Sequence, residues 1–409
     1  MATGGQYGAG IGSGGRFGDY LGGGEGTAFG TIRIVGGNVT ATGGHSSAGI
    51  GSGLDGRGGT VEISGGTVTA TGLWGGAGIG SGREDGVGVS TTISGGLITA
   101  NGSSGGAGIG GGQGSSSNAV SIVGGDITAK GGTAAPGIGT GDQLGAYTQT
   151  GDTISISGGI IWVQAHVGAS PGFVNAASIG CSDMGSCRTI SISGGTIMFA
   201  DNQLWHIGAG RRKYATAESV TISGGSIAAG ENLIDPAPSN GVDRVYRVTV
   251  DVGAANTKVE SLAIVKDDAA FGYGTNDLFT DASGNLRLWL PNGEYEFVVA
   301  GAHWTATVAD DATTAVVVGP TALRIESIAA AEDAVTLVVS AEPDGWITDV
   351  SAQLLRVRAA ETLPLPDRDA ALLPRTDVEA TANDDGTATV IVPRAANVPR
   401  KFYRVEATQ

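Results

Sequence analysis

The sequence predicts an all-β protein in which residues 1–230 form a three-sided parallel β-helix and two small antiparallel β-sandwich regions follow. Three features support this: Gly is concentrated in one part of the chain, two motifs recur in phase, and apolar residues alternate with polar ones between them. Of the 75 Gly, 65 lie in residues 1–230. A change of architecture is therefore expected near Gly230, and the predicted domains are 1–230, 231–320 and 321–409.

Two repeated motifs define the coils. One is Ala-Gly-Ile-Gly or a close variant, and the other is a Gly-Gly pair; both recur at intervals of roughly 30 residues, as in solenoids whose coils stack on one another. The Ile of the first motif occurs at Ile11, Ile50, Ile79, Ile109, Ile138, Ile179 and Ile207. The Gly-Gly pair starts at Gly36, Gly65, Gly95, Gly124, Gly158, Gly194 and Gly224. About seven coils are expected, whereas a flexible Gly-rich linker lacks two motifs in phase.

Alternation assigns the two faces of each strand, because neighbouring side chains on a strand point to opposite sides. In the second coil the residues expected to point inward are Val61, Ile63, Val68 and Ile79, and those expected to point outward are Glu62, Thr67 and Thr69. Beyond residue 230 the pattern becomes that of antiparallel strands. Leu286–Leu290 and Tyr295–Val299, separated by Pro291-Asn292-Gly293, are predicted to form a hairpin.

Charge and composition exclude several partners. The formal net charge is −16, and binding of nucleic acid or an anionic membrane needs a basic surface. No apolar run approaches the roughly 18 residues that span a bilayer, so neither a nucleic acid nor a membrane partner is expected. Residues 2–5 match residues 41–44, which predicts a chain that starts midway through a coil. We expect a module cut from a larger, secreted or cell-surface bacterial protein whose signal peptide lies elsewhere.

The two cysteines, Cys181 and Cys187, bracket a five-residue loop. A local disulfide is favoured in a secreted protein, while free thiols remain an alternative. A zinc site needs about four N or S ligands, and no cluster of Cys and His supplies them. No metal and no cofactor are expected.

A catalytic alternative depends on loop carboxylates. Two acids flanking a groove suffice for a glycoside hydrolase, and an Arg beside an acid suits a lyase that acts on an acidic glycan. The candidate acids are Asp19, Glu25, Asp55, Glu84, Asp85, Asp142 and Asp183, and the candidate basic residues are Arg16, Arg57, Arg83, Arg211 and Arg212. Mixed charges on loop tips are more often simply solvated. No Ser lies in the strand-turn-helix setting of a nucleophile elbow.

Outward aromatic residues favour binding rather than catalysis. The third position of the second strand carries Thr40, Thr69, Thr99, Thr128, Trp162, Met198 and Ala228 in successive coils, so alternation places Trp162 on the surface. Trp74 and Trp205 precede the Gly-Ile-Gly segment, and Tyr20 and Tyr147 follow it. These aromatics could stack on sugar rings, or they could pack under long loops. The Thr column raises ice binding as a third hypothesis, although Trp162 and Met198 interrupt it.

The repeats in residues 1–230 resemble those of the large Gly-rich β-helix carbohydrate-binding modules that accompany bacterial xylanases. That resemblance is one of repeat style, and it implies non-catalytic binding of xylan or a related β-glycan by a module linked covalently to a catalytic domain. Parallel β-helices also include pectate lyases and other depolymerases, so a β-helix polysaccharide hydrolase or lyase is the alternative. No binding residue is transferred from the family.

Overall fold

The computed structural model is all-β. It describes residues 1–16, 27–84, 88–115, 119–142, 152–166, 176–182, 184–200, 203, 205–210, 215–252, 255–267, 269–299, 302–309, 312–316, 322–330, 334–342, 355–360, 371–372, 379–383, 387–393 and 402–407. The one helix among these residues is a 3-10 turn at Glu231–Leu233, and no described helix is long and apolar enough to cross a membrane.

A parallel β-solenoid of about six turns forms the first part of the chain. One of its two parallel sheets has ten strands, which are Ala2–Thr3, Thr31–Ile34, Asn38–Thr42, Gly59–Ile63, Thr67–Thr71, Val89–Asn101, Ala119–Lys130, Asp152–Gln164, Ser186–Phe199 and Thr216–Ile227. The other has eight short strands, which are Ile11–Gly12, Ile50–Gly51, Ile79–Gly80, Ile109–Gly110, Ile138–Gly139, Ile179–Gly180, Ile207–Gly208 and Ile234–Asp235. The seven predicted Ile-Gly segments thus delimit about six turns. From residue 89 onward the Gly-Gly corner lies within a long strand rather than between two strands.

Columns of branched side chains fill the solenoid. Val61, Val68 and Ile79 are fully buried and Ile63 is 1% exposed, while Glu62 keeps access to solvent, which confirms the predicted faces. Ile63 pairs with Ile93, which pairs with Ile122, so each buried Ile contacts the same residue type in the next turn. Removing one such side chain from water stabilises the fold by about 1.5–3 kcal/mol, an upper bound because the unfolded chain is itself partly collapsed.

The Ile-Gly segments of successive turns stack too closely for a side chain at the Gly position, and Asp takes that position in Ile234–Asp235, the strand at the end of the sheet. Gly51 has φ of +135°, and a Cβ built on it would lie 1.9 Å from the carbonyl oxygen of Gly80 in the next turn. A side chain here would therefore be strained and would also collide with backbone. This explains why the last residue of the Ala-Gly-Ile-Gly motif is repeatedly Gly.

An extended segment, Gly272–Asp281, lies along the Gly-Gly corners of the last three turns; we call it the strap. Three corner glycines donate their outward N–H groups to oxygen atoms of the strap. Gly225 N donates to Gly274 O at 2.8 Å and Gly195 N donates to Asn276 O at 2.8 Å. Gly159 N donates to Asp277 Oδ2 at 2.7 Å. These glycines are buried, whereas the equivalent Gly37 is exposed. The strap thus satisfies backbone donors that the turn geometry leaves pointing outward.

The strand that follows the strap closes the end of the solenoid core. Asn285–Leu290 pairs antiparallel with Tyr246–Asp251, and Trp289, 1% exposed, belongs to the same apolar cluster as the solenoid interior. Its indole N–H donates to the carbonyl oxygen of Ile227 in the last long strand at 3.1 Å. A solenoid needs such a cover to keep its open end from water.

The predicted hairpin of Leu286–Leu290 with Tyr295–Val299 is wrong. Asn285–Leu290 pairs with Tyr246–Asp251, whereas Gly293–Val299 pairs with Leu262–Lys266 in a different sheet. The reason is that both segments are strongly apolar on one face, and each is buried against its own sheet. Local turn chemistry at Pro291-Asn292-Gly293 could not reveal these distant partners.

The chain divides into two compact units, and the first is larger than the predicted 1–230 range. It comprises residues 1–258, 272–293 and 308–313; the second comprises 259–271, 294–307 and 314–409. Small antiparallel sheets make up the remainder of the fold, as predicted. One contains Leu262–Lys266, Ala269–Ala270, Gly293–Val299, Ala302–Ala309 and Ala312–Val316; another Ala322–Ala330, Ala334–Glu342, Glu379–Ala382 and Ala388–Pro393; a third Leu355–Ala360, Ala371–Leu372 and Phe402–Ala407.

Candidate carbohydrate-binding surfaces

Trp162 lies on the outer face of the long strand Asp152–Gln164. Its neighbours Ile161 and Val163 are fully buried, and the indole is partly exposed. The register is continuous from Ile160 to Gln164, with Trp162 opposite Thr128 on one side. The predicted outward orientation is therefore confirmed, and no bulge at Ile160-Ile161 reverses it.

Polar and apolar side chains surround this indole; we call Thr128, Lys130, Trp162, Gln164 and Met198 the strand surface. Met198 is opposite Trp162 in the following turn, and Lys130 is opposite Gln164. The Lys130 ammonium lies 5.3 Å from the Trp162 ring centroid, within the range of a cation–π interaction. The surface thus combines an aromatic ring with ammonium, amide and hydroxyl groups.

Trp74 belongs to a different surface, at the turn that follows the second strand of the second coil. The turn Leu73–Gly76 is closed by a hydrogen bond from Gly76 N to Leu73 O. Trp74 is 64% exposed and has a φ of +52°, a conformation that costs a bulky residue about 1–3 kcal/mol. Its ring stacks on His45 of the preceding coil, with centroids 5.2 Å apart and planes 13° from parallel.

Tyr7 and His45 are site candidates that the sequence analysis missed. The Tyr7 ring meets His45 edge-on at 5.9 Å, so three consecutive coils contribute one ring each. A signal existed in the sequence: His45 precedes Ile50 by five residues, as Trp74 precedes Ile79. Comparing equivalent positions in every coil, rather than searching for Trp and Tyr alone, finds His45.

Two long polar side chains lie over the glycines of these turns. A Cβ on Gly75, which has φ of +99°, would lie 3.0 Å from Cδ of Arg83; one on Gly105 would lie 2.9 Å from Cδ of Gln113. Gly at these positions therefore leaves the space that the two side chains occupy. The Arg83 guanidinium pairs with the Glu84 carboxylate at 2.9 Å.

Trp205, Phe199 and His206 lie near the end of the solenoid. Trp205 is partly buried, and its carbonyl oxygen accepts a hydrogen bond from Ser178 N at 3.1 Å. Its neighbour His206 stacks on Phe199, with centroids 4.3 Å apart, and accepts the Gly230 N–H at Nδ1, 3.0 Å away. Burial, with a smaller contribution from Arg247, lowers the pKa of His206 to about 4.

Cys181 and Cys187 form a disulfide, with Cα atoms 5.7 Å apart. Both are buried. Of the two alternatives that the sequence left open, the structure has the disulfide rather than free thiols.

The remaining candidates are partly outside the described residues. Tyr20 and Tyr147 lie there, as do Asp19, Glu25, Asp85, Asp183, Arg211 and Arg212. Asp55 and Glu84 lie in successive turns, and Asp55 N donates to the carbonyl oxygen of Arg83, the residue before Glu84, at 3.1 Å. Within the part of the chain that the structure describes, no three His, Cys, Asp or Glu residues are grouped to hold a metal ion.

Comparison with known proteins supports the fold. A family model described as a beta helix repeat matches residues 32–54, 61–83 and 92–113, which are coils one to three of the solenoid. No curated protein and no solved structure matches the chain. The structure and the family match agree on a parallel β-helix, a scaffold that supports many functions.

Proposed function

We propose that this chain binds a plant cell-wall polysaccharide on the strand surface and does not cleave it, and that the polysaccharide is xylan. The observation that carries the proposal is Trp162, which stands outward and partly exposed on a parallel sheet. An aromatic ring can pack on the C–H face of a sugar, and burial of such a ring is a large source of binding energy.

The surroundings of Trp162 suit an extended polymer. Stacked strands repeat at about 4.8 Å along the solenoid, so equivalent side chains form rows parallel to its axis. Thr128 and Met198 flank Trp162 in one row, while Lys130 and Gln164 flank it in the next. Sugar hydroxyls can donate to Gln164 and Thr128 oxygens and accept from the Lys130 ammonium.

The proposal includes the setting of the protein. The Cys181–Cys187 disulfide supports a secreted or cell-surface location, since disulfides persist in oxidising compartments. We also propose a bacterial parent protein in which this chain is linked to a catalytic domain, as the resemblance in repeat style implies. The net charge of −16 favours a neutral glycan over a polyanionic one, because like charges repel.

One polysaccharide panel tests binding against catalysis. Native affinity gels containing xylan, other cell-wall glycans or pectin measure retardation, and the same incubations are assayed for new reducing ends and unsaturated products. Retardation in a neutral-glycan gel without product supports the proposal. Product formation identifies a depolymerase instead, and absence of retardation in every gel overturns binding altogether.

A further inference from the structure

The structure contains a second aromatic surface, separate from the strand surface. We call Tyr7, His45, Trp74, Ser104 and Gln113 the turn surface. We infer that it holds one sugar residue of a neutral glycan, stacked on the face of Trp74 that points away from His45. This inference rests on the proposed function for its ligand class, and it adds a second site to it.

Successive turns place the relevant side chains in line. Leu73 N donates to Ser47 O at 3.1 Å, and Ser103 N donates to Gly76 O at 3.2 Å, so the turns of coils one to three are stacked directly. His45, Trp74 and Ser104 are each the second residue of their turn, and all three are exposed. The row therefore continues from imidazole to indole to a small hydroxyl.

Because Ser104 is much smaller than His45, one face of the Trp74 indole is left open. His45 covers the face towards the first coil, with the two planes 13° from parallel. On the other side the equivalent residue is Ser104, whose side chain is too short to stack. A pyranose ring resting on the open face lies above the Ser104 turn, where the hydroxyl can bond to it.

Further polar groups border the same space. The Gln113 amide lies over Gly105, beside Ser104, and an amide both donates and accepts hydrogen bonds, as sugar hydroxyls require. Arg83 lies over Gly75, beside Trp74. Because its guanidinium is paired with the Glu84 carboxylate at 2.9 Å, the pair adds no net charge, which favours a neutral sugar over a uronate.

The strain at Trp74 is an independent observation. Equivalent turns place Ser and other residues at the second position, yet this one holds a large, 64% exposed aromatic at φ of +52°. A strained conformation persists where the surroundings enforce it, and such positions cluster at ligand sites. The stack on His45 holds the indole in place before any ligand arrives.

The test follows the indole N–H signal of Trp74 by NMR, assigned from its loss in Trp74→Phe. Hexasaccharides from xylan and from other neutral cell-wall glycans are titrated into the full chain, with oligogalacturonate as the acidic comparison. The Trp74 signal should shift with a neutral oligosaccharide, and should still do so in Trp162→Ala.

Ser104→Trp should extend the aromatic row across the open face and weaken this binding about tenfold. Gln6→Trp, on the far side of His45, is the matched control and should leave it unchanged.

The outcomes separate the two proposals. If polysaccharide gels retard the chain while the Trp74 signal stays fixed, the turn surface is not a site and the strand surface remains one. A larger response to oligogalacturonate than to every neutral oligosaccharide overturns the neutral class. If neither gels nor NMR detect binding, both proposals fail. Melting curves of Ser104→Trp and Gln6→Trp check folding, and Ser104→Tyr, which keeps the Trp74 signal, replaces Ser104→Trp should the latter unfold.

Discussion

The carboxylate oxygen Oδ2 of Asp277 accepts a hydrogen bond from the backbone N–H of Gly159 at 2.7 Å, across 118 residues of sequence. Gly159 is the second residue of a Gly-Gly corner, and its N–H points out of the solenoid. In the next two turns the strap supplies backbone carbonyls for the same purpose. Asp277 thus provides, with its side chain, the acceptor that backbone carbonyls of the strap provide for the corner glycines of the next two turns.

Asp277→Ala should destabilise the first compact unit by about 1–3 kcal/mol, because it leaves the buried Gly159 N–H without this acceptor. Thermal or denaturant unfolding followed by circular dichroism measures the change. Asp243→Ala, at an exposed acid in the same unit, is the control and should shift stability by less than about 0.5 kcal/mol. If the two variants lost equal stability, the effect of Asp277 would come from its charge rather than from its hydrogen bond to Gly159.

Trp162→Ala and Trp289→Ala should separate binding from stability. The first removes a partly exposed ring and should weaken polysaccharide retardation roughly tenfold, a cost similar to one aromatic contact, with Tm nearly unchanged. The second empties a site at the end of the solenoid core and should cost about 3–5 kcal/mol of stability. Affinity gels and melting curves on both variants provide the comparison. A sharp fall in Tm for Trp162→Ala with retained binding would show that this indole is a packing residue.

The solenoid could be predicted from the sequence because its information is local and repeated. Val61, Ile63 and Val68 are buried as alternation requires, and Ile79 pairs with its counterparts in both neighbouring coils. The strap could not be predicted, since nothing in residues 272–281 repeats or marks Gly159 as their partner. The same limitation explains the wrong hairpin at Leu286–Val299, where two apolar strands joined by a turn belong to separate sheets.

The candidate sites, like the fold, could be predicted only in part from the sequence. The outward orientation of Trp162 follows from the period of two in a strand, and it needed no tertiary information. Stacking of Trp74 on His45 depends on the coil-to-coil offset of turns that carry different residues, so a search by residue type missed His45. Its position could be inferred only after the coils had been aligned on Ile50 and Ile79.

Loss of the Cys181–Cys187 disulfide should destabilise the solenoid by about 2 kcal/mol, the loop-entropy value for a short loop. The double variant Cys181→Ala/Cys187→Ala is compared with wild type in melting experiments, with and without a reductant. Reductant should lower the Tm of the wild type and leave that of the double variant unchanged. A reductant effect of the same size on both proteins would contradict a role for this bond.

The stability of the first unit should fall as the pH is lowered from about 6.5 to about 4, because of His206. Burial and the nearby Arg247 lower the pKa of this imidazole from 6.5 to about 4. An unfolded chain therefore binds a proton at pH 5 that the folded chain does not, so the stabilisation is complete above about pH 6.5 and is lost as the pH falls through the folded pKa. His206→Asn keeps an acceptor for the Gly230 N–H but does not titrate in this range, and its Tm should depend less steeply on pH between 6.5 and 4. His45→Asn, at an exposed imidazole, reports what the loss of a surface His does by itself. Parallel Tm-against-pH curves for wild type and His206→Asn would exclude His206 as the source of acid sensitivity.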